Sequence, residues 1–189
     1  MALPHGFPAP QAAPMAAPPT WAARSLGLRH ASAADAPFLR WLFGQTRADE
    51  LATVPWPPDM VDRFLDDQFA LQHRHYVNHF AAAHFLIVEL ANQSIGRLYV
   101  DRSDLGYHII DISIAADQQG KGLGSELIAH LQELGRHENQ NVWLHVNAHN
   151  VAARRLYERL GFRIFSEEGA YLAMRWAHGQ TAPAGKILS

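Results

Sequence analysis

A glycine-rich segment between a predicted strand and a predicted helix carries the strongest chemical signal in this sequence. Gln119 to Gly124 reads QGKGLG and leads directly into an amphipathic helical pattern. Glycines at a helix start let the backbone approach a ligand, and the first N–H groups of a helix have no partner within it. The helix dipole adds to their attraction for anions, so the segment predicts a phosphate or pyrophosphate site.

Three kinds of phosphate loop differ in their spacing. A Walker loop needs G-x-x-x-x-G-K-[ST], and this is absent because Lys121 is followed by Gly122. A dinucleotide fingerprint needs G-x-G-x-x-G, and its third position falls on Ser125. The pattern Q/R-x-x-G-x-G/A of coenzyme A pyrophosphate loops fits residues 119–124 at every position. For the segment taken alone, a glycine-rich turn that binds no ligand is the alternative interpretation.

A second motif follows further along the chain. Residues 150–162 read NVAARRLYERLGF, which is N-x-x-A-x-x-x-Y followed by L-G-F. The two motifs, in this order and separated by a helix and a strand, resemble the GNAT superfamily of acyl-coenzyme A-dependent N-acyltransferases. The resemblance covers about residues 25–177 and is strongest over residues 108–163. It implies a mixed α/β fold of one GNAT-type domain, in which a central mixed sheet of about seven strands has helices on both faces and a splayed strand pair.

The resemblance implies a function and a set of binding residues. The expected reaction is acyl transfer, most simply of acetyl from acetyl-coenzyme A, to a primary amine by direct attack in a ternary complex. The strand around residues 112–114 is expected to splay after a bulge, so that its backbone pairs with the pantetheine arm. A non-catalytic coenzyme A-binding sensor or assembly domain is the alternative. The expected cofactor-binding residues are Ile112, Ser113, Ile114, Gln119, Gly120, Lys121, Gly122, Leu123, Gly124, Ser125, Asn150, Ala153 and Tyr157.

Tyr157 matches the family tyrosine that protonates the leaving sulfur. A phenol with an ordinary pKa of about 10 is protonated near neutrality and suits this role. A core aromatic is the competing interpretation, because apolar residues surround Tyr157 in the sequence. Asn150 is expected to cap a helix on general grounds, and the resemblance adds a contact with the cofactor arm.

The general base has three candidates. Asp111 lies on a predicted central strand, where an unpaired carboxylate is costly, so it is either paired structurally or functional. His108 falls where several family members place a glutamate, and an imidazole with an ordinary pKa near 6.5 accepts a proton at pH 7. A water relay without a dedicated base is the third. A glutamate common in relatives is replaced by Asn147, and His145 shares a face with it, where both could simply line the edge of the core.

Alternating patterns place these residues on defined elements. Helices are predicted over residues 33–45, from about 56 to 75, and over 122–138 and 152–160. The helix beginning near Trp56 is expected to roof the acceptor pocket. Arg97, Tyr99 and Arg102 are candidate acceptor contacts, and a solvated face explains the two arginines equally well. The predicted strands span residues 25–30, 83–90, 95–100, 105–115, 142–147, 162–165 and 171–176, with a hairpin turn at Asn92-Gln93.

Composition limits the classes of function. The chain has 189 residues, 48% of them hydrophobic, with no Cys and a formal net charge of −2. Without Cys there is no disulfide framework, thiolate metal site or cysteine acyl-enzyme. The charge argues against nucleic-acid binding, and no apolar run of roughly 18 residues predicts a membrane span. The expected partners are a small-molecule or protein amine and, through the last strands, a second copy of the chain in a homodimer.

The two ends of the sequence predict little regular structure. Residues 1–22 are rich in Ala and Pro and predict a disordered, extended arm, while residues 178–189 predict a frayed tail. The acyltransferase domain is expected over residues 23–177. Because the first residues lack a cationic start, a signal peptide is not predicted and a cytoplasmic location is expected. His75 and His79 have helical spacing, but no Asp or Glu lies among the neighbouring histidines, so no metal site is predicted.

Overall fold

The computed structural model of the protein describes residues 6–11 and 15–179. Seven strands form one sheet in the order β1-β2-β3-β4-β5-β7-β6, which confirms the predicted mixed α/β fold. The strands are β1 (Leu26–His30), β2 (His84–Leu90), β3 (Gln93–Ser103), β4 (Gly106–Ile114), β5 (Val142–Asn147), β6 (Arg163–Glu168) and β7 (Tyr171–Trp176). The helices are α1 (Ala36–Thr46), α2 (Ala48–Leu51), α3 (Pro58–His79), α4 (Leu123–Glu138) and α5 (Val151–Arg159).

The predicted elements are all present, with shifted boundaries. The hairpin turn lies at Ala91 and Asn92, one residue before the predicted position, and both have positive φ values of 49° and 62°. This pair of left-handed residues is typical of the tight turns that match the twist of paired strands. The short helix α2 was not predicted, because four residues are too few for a periodic pattern. None of the described helices has the length and apolar character needed to cross a membrane.

The described chain divides into two compact units. The first contains the residues up to Tyr99 together with Asp111–Lys121, and the second contains Val100–Ile110 together with the residues from Gly122 onward. Strands β3 and β4 therefore each contribute to both units.

In the first unit, helices α1 and α3 pack through apolar side chains at helical spacing. Leu65, Phe69, His73 and Val77 recur every four residues along α3 and are all buried. Phe69 meets Phe43 of α1, with 6.0 Å between ring centroids. Pro58 occupies the first turn of α3, where its missing N–H costs no helical hydrogen bond. The amphipathic pattern thus places α3 with one side in the core.

The described part of the N-terminal arm is packed, which differs from the predicted disordered arm. Pro19–Arg24 form a 3₁₀ helix that buries Trp21. The ring of Phe7 lies 4.8 Å from the ring of His73 and 5.5 Å from that of Phe85. The prolines exclude regular helix and strand, as predicted, but the aromatic side chains between them still find apolar partners. Residues 1–5 and 12–14 of the predicted arm, and residues 180–189 of the predicted tail, lie outside the described residues.

In the second unit, α4 contributes the apolar stripe expected from its sequence. Leu127, Ile128 and Leu131 are fully buried. Strand β5 alternates between the buried residues Val142, Leu144 and Val146 and the less buried residues between them. The period of two places Trp143, His145 and Asn147 together on the opposite face of β5.

The parallel ladder between β4 and β5 is short. It contains three residue pairs, although β4 continues to Ile114 and β5 continues to Asn147. The ladder therefore ends inside both strands, in agreement with the predicted splayed pair. The three pairs are Tyr107↔Val142, His108↔Trp143 and Ile109↔Leu144.

Gly96 on β3 provides a test of how tightly the first unit is packed. A Cβ at this position would lie 2.5 Å from the carbonyl oxygen of Ser113, which is backbone and cannot move aside easily. We expect Gly96→Ala to lower the free energy of unfolding by about 2 kcal/mol, measured by urea denaturation. Gly27→Ala on β1 is the matched control, because a Cβ there meets nothing within 4 Å. Equal stabilities of the two variants would contradict the close approach.

Candidate functional site

The glycine segment adopts the conformation that an anion site requires. Gly120 and Gly122 have φ values of 74° and 81°, in the left-handed region that favours glycine. Helix α4 begins at Leu123, and no side chain caps its start. A Cβ added to either glycine would have nothing within 4 Å, so the backbone here is open to an approaching group. The donors of the first helical turn are thus presented as they are in phosphate-binding helix starts.

Side chains make hydrogen bonds in and just before the first part of the segment. The Nε2 of Gln119 donates to the carbonyl oxygen of Ile114 at 2.9 Å, and the Nζ of Lys121 donates to Oε1 of Gln118 at 3.0 Å. The Oε1 of Gln45 on α1 accepts from the backbone N–H of Ala116 at 3.0 Å. Gln119 therefore tethers the segment to the end of β4. Gln45 lies 71 residues before its partner, so sequence spacing carried no signal for it.

Asn150 caps helix α5 as predicted. Its Oδ1 accepts from the backbone N–H of Ala153 at 3.0 Å. The second turn of α5 lies close to the start of α4, because a Cβ on Gly124 would lie 3.9 Å from Leu156. Tyr157 is buried, with its ring centroid 5.9 Å from that of Phe162. This surrounding agrees with the apolar neighbours seen in the sequence, and the proton-donating role of Tyr157 remains a prediction.

Asp111 is the centre of a buried hydrogen-bond network in the first unit. The guanidinium of Arg97 donates to both carboxylate oxygens, from Nε to Oδ1 at 2.9 Å and from Nη2 to Oδ2 at 2.7 Å. The hydroxyl of Tyr76 donates to Oδ2 at 3.0 Å and that of Ser113 donates to Oδ1 at 2.9 Å. The Arg97 guanidinium also donates to Oε1 of Gln72 on α3 at 3.0 Å.

This network shows that Asp111 is paired, and the role of Asp111 as a general base remains a prediction. The side chains of Arg97 and Asp111 are 3% and 11% exposed, so the charges are withdrawn from water and neutralise each other. Burial and the negative charge of Asp111 raise the pKa of Tyr76, which keeps its hydroxyl protonated as a donor. Asp111 is thus paired structurally, the first of the two alternatives. Arg97 and Tyr99 are both buried, so the predicted solvated face does not include them.

Replacement of Asp111 tests the structural role. Asp111→Asn leaves the Arg97 charge buried without a counter-charge, and we expect it to lower the free energy of unfolding by about 3 kcal/mol. Tyr76→Phe, which removes one donor and keeps the ring, should cost about 1 kcal/mol. Both are measured by urea denaturation at pH 7. If Asp111→Asn were as stable as the wild type, the ion pair would not be the support that its burial indicates.

A cluster of aromatic rings surrounds His108 in the second unit. The imidazole stacks on the indole of Trp143, with 3.7 Å between ring centroids and 2° between planes. The ring of His145 meets His108 edge-on at 5.7 Å and Trp143 at 5.5 Å. The indole N–H of Trp143 is buried and has no hydrogen-bond partner among the described residues. The ladder pairing of His108 with Trp143 explains the stack, because opposed residues point to the same face.

Burial, together with the nearby His145, lowers the pKa of His108 from 6.5 to about 4. The imidazole is therefore neutral at pH 7, as predicted, but it holds a proton weakly. Efficient proton transfer needs a base whose pKa lies near the working pH, which His108 does not meet.

The acid sensitivity of folding tests the low pKa of His108. The unfolded chain protonates this residue below about pH 6.5 while the folded protein does not, so its stabilising contribution is full at pH 7 and is lost as the pH falls towards 4. Between pH 7 and pH 5 the loss is at most about 2 kcal/mol. His108→Phe keeps a flat ring against Trp143 without a titrating group. We expect this variant to lose that part of the pH dependence in urea denaturation, and an unchanged dependence would contradict the low pKa.

The histidines of α3 lie near each other. The rings of His75 and His79 are 4.2 Å apart, and the Nδ1 of His79 lies 2.9 Å from the carbonyl oxygen of His75. Within residues 6–11 and 15–179, no group of three or more metal-binding side chains is found.

Comparison with known proteins places these features in a family. A sequence model of the Acetyltransferase (GNAT) family matches residues 39–162. A 5-NmdU N-acetyltransferase from Pseudomonas phage PaMx11 is 39% identical over 69 residues, which are 34% of this chain and 48% of that protein. A ribosomal protein bS18-alanine N-acetyltransferase from Escherichia coli is 37% identical over 75 residues, which are 39% of this chain and 48% of that protein. The matches thus span about half the length of these curated relatives.

A solved structure has the same fold at low sequence identity. The PaiA N-acetyltransferase from Thermoplasma acidophilum, in complex with coenzyme A, aligns with a TM-score of 0.63 and 13% identity. The alignment covers 82% of this chain and 99% of that chain. At this identity the likeness concerns the fold alone.

Proposed function

The chain belongs to the GNAT acetyltransferase family, and we propose that it transfers an acyl group, most simply acetyl from acetyl-coenzyme A, to a primary amine. The amine attacks directly in a ternary complex, because a chain without cysteine has no thiol for a cysteine acyl-enzyme. The observation that carries the proposal is the uncapped start of α4 behind two left-handed glycines.

The glycine segment fits the diphosphate of coenzyme A. Two negatively charged phosphates need several donors and no side chain in the way, and residues 120–125 offer backbone N–H groups beside an open backbone. Residues Ile112 to Ile114 would hold the pantetheine arm through their backbone, and the start of α5, with Asn150 and Ala153, would contact it from the other motif. Bound acyl-coenzyme A supplies the activated thioester carbonyl.

Tyr157 would donate a proton to the departing sulfur. A phenol with an ordinary pKa of about 10 is protonated at neutral pH, so it can transfer its proton to the thiolate that forms as the C–S bond breaks. Asp111 is unsuited to act as the general base because four donors from three side chains occupy its oxygens. His108 is unsuited because its pKa of about 4 makes it a weak proton acceptor.

The acceptor is an amine, and its class stays open between small molecules and proteins. The names of the two relatives already point to different acceptors, 5-NmdU in one and an alanine of ribosomal protein bS18 in the other. Each match covers about half of the relative, so neither name assigns an acceptor to this chain.

Binding and turnover of acetyl-coenzyme A test the proposed function. We expect acetyl-coenzyme A to raise the melting temperature of the wild type and to release thiol when a panel of small and peptide amines is added. Gly122→Glu should abolish the thermal shift, because it places a carboxylate against the diphosphate. Gly169→Glu is the matched control, since Gly169 also has positive φ and open space but lies in the β6–β7 turn. No thermal shift with the wild type would overturn the proposal, and a shift without thiol release would favour a non-catalytic binding domain.

A further inference from the structure

His145 lies where the β4–β5 ladder stops. It follows Leu144, the last β5 residue of the ladder, and its side chain is 36% exposed. On β7 its cross-strand partner is Ala173, whose methyl group cannot cover the imidazole. The ring of His145 is therefore held by a regular strand and is still open to solvent. The sequence alone predicts only that His145 lines the edge of the core.

A carboxylate reaches His145 from two strands away. The Oε2 of Glu168 on β6 lies 3.9 Å from the Nε2 of His145. In the β6–β7 ladder Glu168 is opposite Tyr171, and Ala173, the ladder partner of His145, is opposite Ser166, so the Glu168 side chain approaches His145 diagonally across β7. At this distance the carboxylate attracts the ring electrostatically without a direct hydrogen bond, and it favours the ring orientation that turns Nε2 towards it. The other nitrogen, Nδ1, is left as the proton acceptor.

The remaining groups on this face do not compete for the proton. His108 is neutral and stacked on Trp143, so it forms one wall of the ring cluster. On β7, Arg175 is opposite Trp143 in the ladder, and its guanidinium lies over the ring of Phe165 at 5.2 Å. Tyr171 is opposite Asn147 at the end of the strand. Among the described residues, Glu168 is the carboxylate that makes an ion pair with His145.

We propose that His145 is the general base of the acyl transfer and that Glu168 is its positioning residue. The inference rests on the proposed function. In the step, an N–H bond of the substrate ammonium breaks and an N–H bond forms at Nδ1 of His145. The nitrogen electron pair then forms the C–N bond to the thioester carbonyl, and the C–S bond breaks. The leaving sulfur takes the proton of Tyr157, and the second proton lost by the nitrogen restores the phenol. The imidazolium then releases the proton to water, so that one proton leaves per turnover and no oxidant or metal is needed.

Replacement of His145 tests the role through the pH profile. With acetyl-coenzyme A and the amine found by thiol release, His145→Gln should lower kcat about 100-fold at pH 7. The deficit should shrink as the pH rises towards the pKa of the amine, because the amine then loses its proton without help. His137→Gln is the matched control, since His137 on α4 pairs with Glu133 at 3.2 Å and is mostly exposed. This control should keep the wild-type rate and profile.

Two further variants distinguish a role of His145 as the base from a purely structural role. Glu168→Gln should lower kcat and leave KM for the amine unchanged, because the imidazole loses the carboxylate that orients it. Tyr157→Phe should lower kcat and leave the acid limb in place. Thermal shifts with acetyl-coenzyme A should be unchanged in His145→Gln and Glu168→Gln, which shows that both variants are folded and bind the donor.

The outcomes distinguish the two proposals. If the wild type turns over and His145→Gln keeps its rate and acid limb, His145 is not the base and the acyltransferase proposal stands. If Glu168→Gln keeps the wild-type kcat, Glu168 is not the positioning residue. If the wild type releases no thiol with any amine, the proposed function fails and the role of His145 fails with it.

Discussion

The ion pair between Arg97 and Asp111 is the interaction on which the arrangement of the first unit depends. Withdrawing two charges from water is costly, and the cost is offset only when the charges meet in good geometry and their other polar atoms are satisfied. Gln72, Tyr76 and Ser113 complete the hydrogen bonds, so α3, β3 and β4 are tied to one register. These contacts therefore fix the position of Asp111, and the rest of β4 and the glycine segment follow it along the chain.

The groups proposed to bind the acyl donor belong mostly to the backbone. Their position depends on where regular hydrogen bonding ends: the β4–β5 ladder stops after three pairs, and α4 starts without a side-chain cap. A backbone N–H without a partner inside its own element must be satisfied by water or by a ligand. Side chains are needed in this scheme mainly for proton transfer. Two neighbouring histidines differ in burial: His108 is buried and neutral, whereas His145 is exposed beside a carboxylate.

Local patterns were sufficient for most of the fold. The period of two predicts β5 and the four-residue spacing predicts α3. The capping residue Asn150 likewise predicts the start of α5. The arm was less predictable, because prolines forbid regular structure without deciding whether Phe7 and Trp21 find apolar partners. At the site, the loop and Tyr157 followed from motifs, whereas His145 did not. Its partner Glu168 comes from another strand, and only the strand order β5-β7-β6 brings the two together.

The sequence by itself determined the family, the order of the elements and the glycine segment, because these depend on residue types at short, regular spacing. The tertiary structure decided which polar residues are paired and which remain available for chemistry. From the sequence alone, Asp111 and His108 are equally good candidates for the proton acceptor. Contacts with residues distant in sequence neutralise the first and desolvate the second, since burial and charge pairing are properties of the folded surroundings and not of the residue type.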